Sequence, residues 1–304
     1  MRIVSLLPSA TEILFAIGAG DQLVGVTHEC DFPPQARALP KLTASALPAS
    51  GDAAEIDRHV KEALHHGSSL YKLDTRLLDE LRPDLIVTQE LCAVCAVSYD
   101  VVTDAVRRSC ADARVVSLEP SSIEDVLTTI RMLGAITRSE AGAASLIEKL
   151  RARLHDVRSR VEHLPRPSAL VLEWTDPPMS AGHWTPGLVE IAGGVSILDN
   201  PGRNSVALAW DAIARSNPDV VIVAPCGFGM EATSRAVSAL DAVPQWTNLR
   251  AVREGNVVAI DGNQYVNRPG PRLIETAELF AVALHPELRD RYVFSAKDYV
   301  RRSL

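Results

Sequence analysis

Aromatic residues make up only 5% of these 304 residues: 4 Trp, 5 Tyr and 5 Phe. A core built this way rests on aliphatic side chains, so each ring that falls in a loop draws notice. Cysteine is also sparse. The five are Cys30, Cys92, Cys95, Cys110 and Cys226, an odd number in a large chain, which argues against a disulfide framework. Basic runs are missing and the formal charge is −7, so a nucleic-acid partner is not expected. No apolar run is long enough to span a bilayer, so direct membrane insertion is not expected. Met1-Arg2 leads straight into Ile3-Val4-Ser5-Leu6-Leu7 without the charged and apolar regions of an export signal. That start predicts a cytoplasmic protein, or a periplasmic one if a signal was removed. Gly-x-Ser-x-Gly, P-loop and His-Glu-x-x-His patterns are absent, so no catalytic residue is assigned and the chain is read as a non-enzyme.

What is present is a repeated α/β plan. Arg2–Leu7 reads as a short strand, and Ser9-Ala10-Thr11-Glu12 as a capping box opening an apolar helix that stops at Gly18 and Gly20. Leu23–Val26 resumes as a strand, predicting a parallel pair with a right-handed crossover. "LLDELRPDLIVTQ" reads as a helix stopped at Pro83 and a buried strand over Leu85–Thr88, and Arg114–Leu118 as the next strand. Ser121 to Glu124 is a second capping box, opening a helix through Leu133.

The second half replays this order. Ala169–Leu172 is a strand, Pro186–Ala192 a helix, "AIARSNPDVVIV" a helix, Pro-Asp and strand, Val257–Ile260 a strand, and Arg272–Leu284 a helix. The first half carries an extra segment, roughly Ala44 to Asp74. Its His65-His66-Gly67 stretch reads as a helix end, or alternatively as part of a lid with Tyr71 as its contact. Between the halves, apolar residues at Leu146, Leu150, Leu154, Val157, Val161 and Leu164 share one helical face, predicting a single helix over Glu140–Leu164 behind a Thr137–Glu140 capping box. The expected fold class is α/β: two Rossmann-like lobes with parallel-rich sheets joined by one long backbone helix. The expected divisions are an N-terminal lobe over 1–120, connecting helices over 121–165, and a C-terminal lobe over 166–304.

The stretches "RIVSLLPSATEILFAIGAGDQLVGVTHECDFPP", "LRPDLIVTQ", "SSIEDV", "MSAGHWTPGLVEIAGG" and "NRPGPRLIETAELF" resemble, in this order, the helical-backbone metal receptor superfamily. That group of substrate-binding proteins includes the periplasmic cobalamin-binding protein of ABC importers. The resemblance implies a flat metal chelate, cobalamin or a related corrinoid, held between two lobes, and an ABC transporter permease as partner. Without an export signal, a cofactor-accepting protein served by an intracellular chaperone is the alternative partner. "EIDRHVKEALHHGSSLYKLD" and "ELCAVCAV" depart from the periplasmic pattern.

Ligands of open α/β sheets bind at the carboxyl ends of the strands. The loops there supply the candidate ligand-binding residues. Pro8 and Ser9 follow the first strand, His28 and Phe32 the second, and Gln89 the third. Trp174, His183 and Trp184 fall in one post-strand loop of the second half, and Tyr265, Asn267 and Arg268 in another. Phe32, within "CDFPP", resembles an aromatic that contacts the corrin. The rings suit a flat ligand or, alternatively, pack the lobe edges. Gln89, Asn267 and Arg268 offer hydrogen bonds to ligand amides or phosphate; the alternative for Arg268 is a surface guanidinium or an inter-lobe salt bridge. His28 and His183 are candidates for an axial metal ligand or ordinary hydrogen-bonded histidines. His28, Cys30, Cys92 and Cys95 together would suit Zn or Fe. Reduced packing thiols, or a redox disulfide at Cys92/Cys95 in a thiol- or metal-dependent enzyme, remain the alternatives.

Overall fold

The computed structural model describes residues 1–46, 51–65, 70–89 and 113–302. The chain divides into two compact units. The first comprises Met1–Gly51, Glu55–Pro120 and Glu124–Lys149; the second comprises Asp52–Ala54, Ser121–Ile123 and Leu150–Leu304.

The first unit contains β1 (Ile3–Ser5), β2 (Leu23–Val26), β3 (Thr43–Ser45), β4 (Tyr71–Leu73), β5 (Leu85–Thr88) and β6 (Arg114–Ser117). Its main sheet has the order β2-β1-β5-β6 and is parallel throughout, as the strand–helix–strand pattern predicts. The central strand β1 is buried along its whole length, which is why it reads as an unbroken apolar run rather than an alternating one. Val4, Leu6, Leu42, Leu78 and Ile86 form one core cluster.

The crossover helix is Pro8–Ala16, with Leu7 as its N-cap and no side-chain cap. The capping box expected at Ser9 is therefore not formed. Proline at the first helical position presets φ and has no N–H to satisfy, so the helix begins two residues earlier and encloses Ser9. The hydroxyl of Thr11 donates instead to Ser5 Oγ at 2.9 Å. The box expected at Thr137 also fails. Thr137 is the last residue of the helix Ile123–Thr137, one turn longer than expected, and its hydroxyl donates back to the Leu133 carbonyl at 2.8 Å. The extra segment forms the helix Ala53–His65, and its ends meet as the antiparallel pair β3/β4, with Thr43 opposite Leu73. His66 and Gly67 lie outside the described residues.

The second unit contains β7 (Ser168–Thr175), β8 (Pro178–Ser180), β9 (Gly182–His183), β10 (Val195–Ser196), β11 (Asn200–Pro201), β12 (Val220–Val223), β13 (Val257–Ile260) and β14 (Tyr299–Arg301). The path β10-β7-β12-β13 is parallel, β14 closes it antiparallel to β13, and β8 folds back on β7. Its core packs around the fully buried Trp246.

The replay of the first half in the second extends to single bonds. The helix Thr75–Leu81 ends at Arg82 (φ 42°) before Pro83, and the helix Trp210–Ser216 ends at Asn217 (φ 41°) before Pro218. A residue preceding proline is pushed out of the right-handed helical region, so both helices must stop there. The Asp after each proline then tethers the neighbouring strand. Asp84 Oδ2 accepts from the Arg2 amide at 2.7 Å, and Asp219 Oδ2 from the Ser168 amide at 2.8 Å.

The long helix runs Glu140–Val161, 22 residues, ending three residues before the expected Leu164. Its length is about 33 Å at 1.5 Å per residue. The division between units falls within it, after Lys149. Leu150, Leu154, Val157 and Val161 are buried as the periodicity predicts. In the second unit Arg153 forks between Glu275 at 3.0 Å and Glu278 at 2.8 Å, fixing the helix against Leu273–Leu284. Burial opposes the charge, but the two carboxylates outweigh it and hold the guanidinium protonated well beyond its ordinary range.

Candidate functional site at the carboxyl edges

Pro8 and Ser9 are buried in the first turn after β1. Beyond β2, the His28 Nδ1 lies 2.7 Å from Thr43 Oγ1, and its ring sits 5.8 Å from that of Tyr71. Its Nε2 lies 3.4 Å from Glu29 Oε1. The β3/β4 segment thus positions this imidazole through Thr43 and Tyr71. Cys30 points elsewhere: it is buried, with Sγ 3.0 Å from the Thr11 hydroxyl, while its carbonyl accepts from Lys41 Nζ at 2.8 Å. Desolvation lowers the Lys41 pKa even though Cys30 and Asp31 pull it up. Phe32 is 43% exposed and Gln89, at the end of β5, is buried. Cys92 and Cys95 lie outside the described residues, and among those described no three His, Cys, Asp or Glu side chains are placed to hold a metal. His28 and Cys30 engage different hydroxyls, those of Thr43 and Thr11.

The carboxyl edge of the second sheet is richer. Trp174, near the end of β7, lies 5.1 Å from the Phe228 ring with the planes tilted by 60°. Phe228 follows β12 in the loop Gly227-Phe228-Gly229, and both rings are partly exposed. The Trp174 indole N–H donates to the Asp176 carbonyl at 3.0 Å, while Asn263 donates its amide to the Phe228 carbonyl at 3.1 Å. The sequence reading missed Phe228. The signal was available in a Gly-flanked aromatic directly after the apolar run of β12.

Trp184 and Tyr265 occupy interior positions. The Trp184 indole donates to the Val266 carbonyl at 2.9 Å, and the Tyr265 hydroxyl to Asp298 Oδ1 at 2.7 Å. Burial and that carboxylate push the Tyr265 phenol well above its usual range. The Trp184 bond brings the two expected loops together. His183 (φ 48°) stacks on Trp184 at 5.4 Å and 27°, with Nε2 buried and no hydrogen-bond partner among the described residues. Burial lowers its pKa, so the ring is held neutral, against the opposing effect of Asn204. Asn267 directs its amide donors at Ala224 (3.2 Å) and Gly262 (3.0 Å) carbonyls, inside the turn Gly262–Val266. Arg268 is buried and donates to Asn263 Oδ1 at 3.0 Å.

Glu173, also unremarked in the sequence, organises this edge. Its carboxylate accepts from the Thr185 hydroxyl at 2.8 Å, the Gly182 amide at 3.4 Å and the Ser205 hydroxyl. Burial raises its pKa in spite of those three donors. The segment carrying His183 and Trp184 is therefore tied to β7 by one side chain.

Residues 3–264 match the model of the periplasmic binding protein family. The chain belongs to that family. Its relatives include an uncharacterized ABC transporter substrate-binding lipoprotein, YvrC, of Bacillus subtilis. That protein is 25% identical over 294 residues, covering 94% of this chain and 80% of the relative. The vitamin B12-binding protein of Vibrio cholerae is 23% identical over 287 residues, covering 91% and 86%. In fold, a periplasmic heme-binding protein from Pseudomonas aeruginosa aligns with a TM-score of 0.74 at 20% identity, covering 100% of this chain and 98% of that one. A cytoplasmic location, expected from the sequence, finds no support among periplasmic binding proteins of this kind. Among the described residues no helix is long and apolar enough to cross a membrane.

Proposed function

We propose that this substrate-binding protein captures a tetrapyrrole-type metal chelate, cobalamin or a related corrinoid first among them, and passes it on unchanged to an ABC transporter permease. The observation that carries the reading is the Trp174–Phe228 pair. Two partly exposed rings at the carboxyl ends of parallel strands, each held through a backbone bond, offer flat apolar surface where such sheets bind ligands. The names of the relatives support the ligand class: one binds vitamin B12 and one heme. His183, a neutral imidazole with a buried unpartnered nitrogen, is the proposed contact to the chelate's metal in this unit, and His28 in the other. Phe32, Gln89, Tyr265, Asn267 and Arg268 are proposed to line or support the same edges.

An absorption titration of the purified protein with cobalamin, cobinamide, haem and a ferric siderophore tests this. Saturable binding of a corrinoid is expected. Loss of about 100 Å² of ring contact corresponds to about 2.5 kcal/mol, so Trp174→Ala and Phe228→Ala should each weaken binding by at least about tenfold. Binding of none of the four chelates by the wild-type protein overturns the reading.

A further inference from the structure

At the opposite, amino edge of the second sheet lies a cavity of about 380 Å³. Pro167, Val220 and Asn256 line it where β7, β12 and β13 begin, and Arg301 reaches it because β14 runs antiparallel to β13. Pro165, Leu284 and Pro286 give it apolar walls.

Its charges do not balance. Arg166 pairs with Glu190, and Asp219 with Arg250. Arg301 donates only to neutral oxygens, the Asn256 side-chain oxygen at 3.1 Å and the Ala283 carbonyl, and no carboxylate among the described residues lies within ion-pairing distance. Burial disfavours its charged form, yet a guanidinium stays protonated in proteins. One cation with no carboxylate partner among the described residues therefore faces the cavity. A guanidinium carries five N–H donors in a planar fork, so donors remain beyond those two bonds. Because Asn256 uses its oxygen to accept from Arg301, its amide nitrogen is left as a second donor.

We propose that this cavity is a binding site for a small monocarboxylate with a short apolar tail, separate from the carboxyl-edge site. The carboxylate bonds the remaining Arg301 donors and the Asn256 amide, and the tail lies against the proline and leucine walls. A single negative charge matches the single excess positive one. The closing helix Leu273–Leu284 turns its carboxyl end toward Arg301, which already offsets part of the charge, so a dianion is disfavoured there.

The test is a backbone amide NMR titration of the full chain with butyrate and with butyramide, its uncharged analogue. Butyrate should give saturable shifts at Val257, Val258 and Arg302, with butyramide binding at least about tenfold more weakly. Arg301→Gln should lose butyrate binding by a similar factor. Asn256→Asp keeps the size of the side chain and gives Arg301 an internal counter-ion, so it should abolish binding even if the arginine variant folds poorly. Equal binding of the two compounds, unchanged affinity in Asn256→Asp, or no saturable shift in the wild-type protein overturns the proposal. None of these outcomes bears on chelate binding at the other edge.

Discussion

Glu173→Ala removes one acceptor from three donors, and its effect can be worked from the contacts. Thr185 Oγ1, the Gly182 amide and Ser205 Oγ all lose their partner. A buried donor left unmatched costs about 1–3 kcal/mol. Against this, the charge no longer has to be desolvated, and its raised pKa shows that desolvation outweighs the help of the donors. The net loss should be about 3 kcal/mol. Glu173→Gln retains a carbonyl oxygen and should lose about half as much. Urea unfolding reads the global term, and amide hydrogen exchange at Gly182 reads the local one. The pH dependence supplies a separate check. A folded pKa raised above the unfolded value of 4.5 means that acidification from neutral protonates the folded carboxyl first and stabilises the fold, with no further gain below the unfolded pKa. Glu173→Ala should lack that gain. An unchanged urea midpoint together with full protection of Gly182 would refute the reasoning.

Gly142→Ala would set a Cβ 2.1 Å from the Ile17 carbonyl oxygen, backbone that cannot yield, so the long helix must shift. A melting experiment should show a loss of at least about 2 kcal/mol. Trp246→Ala empties the centre of the second core and should cost about 3–5 kcal/mol in chemical denaturation. His183 and His285 are held neutral by burial, with pKa values below the ordinary 6.5. Their contribution is fully present above the unfolded pKa and falls as the pH drops through it toward the folded values, the opposite sense to Glu173. Urea midpoints measured from neutral to mildly acidic pH should fall less steeply for His285→Gln than for the wild-type protein.

Where periodicity and chain-breaking residues decide the backbone, the sequence was readable. Leu23–Val26, Leu85–Thr88 and Val257–Ile260 stand as strands at the expected bounds. Pro83 and Pro218 announced both helix ends, because proline acts on its predecessor whatever surrounds it. The capping boxes at Ser9 and Thr137 misled, since the pattern says nothing of Pro8 taking the first helical position or of the preceding helix extending through Thr137. Leu164 failed to extend the long helix because one matching apolar position does not outweigh the two prolines that follow it. At the site, sequence could pick out loops but not what their polar ends bond to. Nothing local in Trp184 or Asn267 foretells that its donors meet the Val266, Ala224 and Gly262 carbonyls. Glu173 escaped notice because its partners are 9 to 32 positions away and no motif links them.

The turn over Gly262–Val266 is clasped from two directions, by the Trp184 indole on the Val266 carbonyl and by the Thr276 hydroxyl on the Tyr265 carbonyl at 2.9 Å. A surface held this way has little left to order when a guest arrives. If a ligand binds at this edge as proposed, discrimination there works by exclusion: a molecule of the wrong outline meets an unyielding wall instead of a loop that remoulds itself around it.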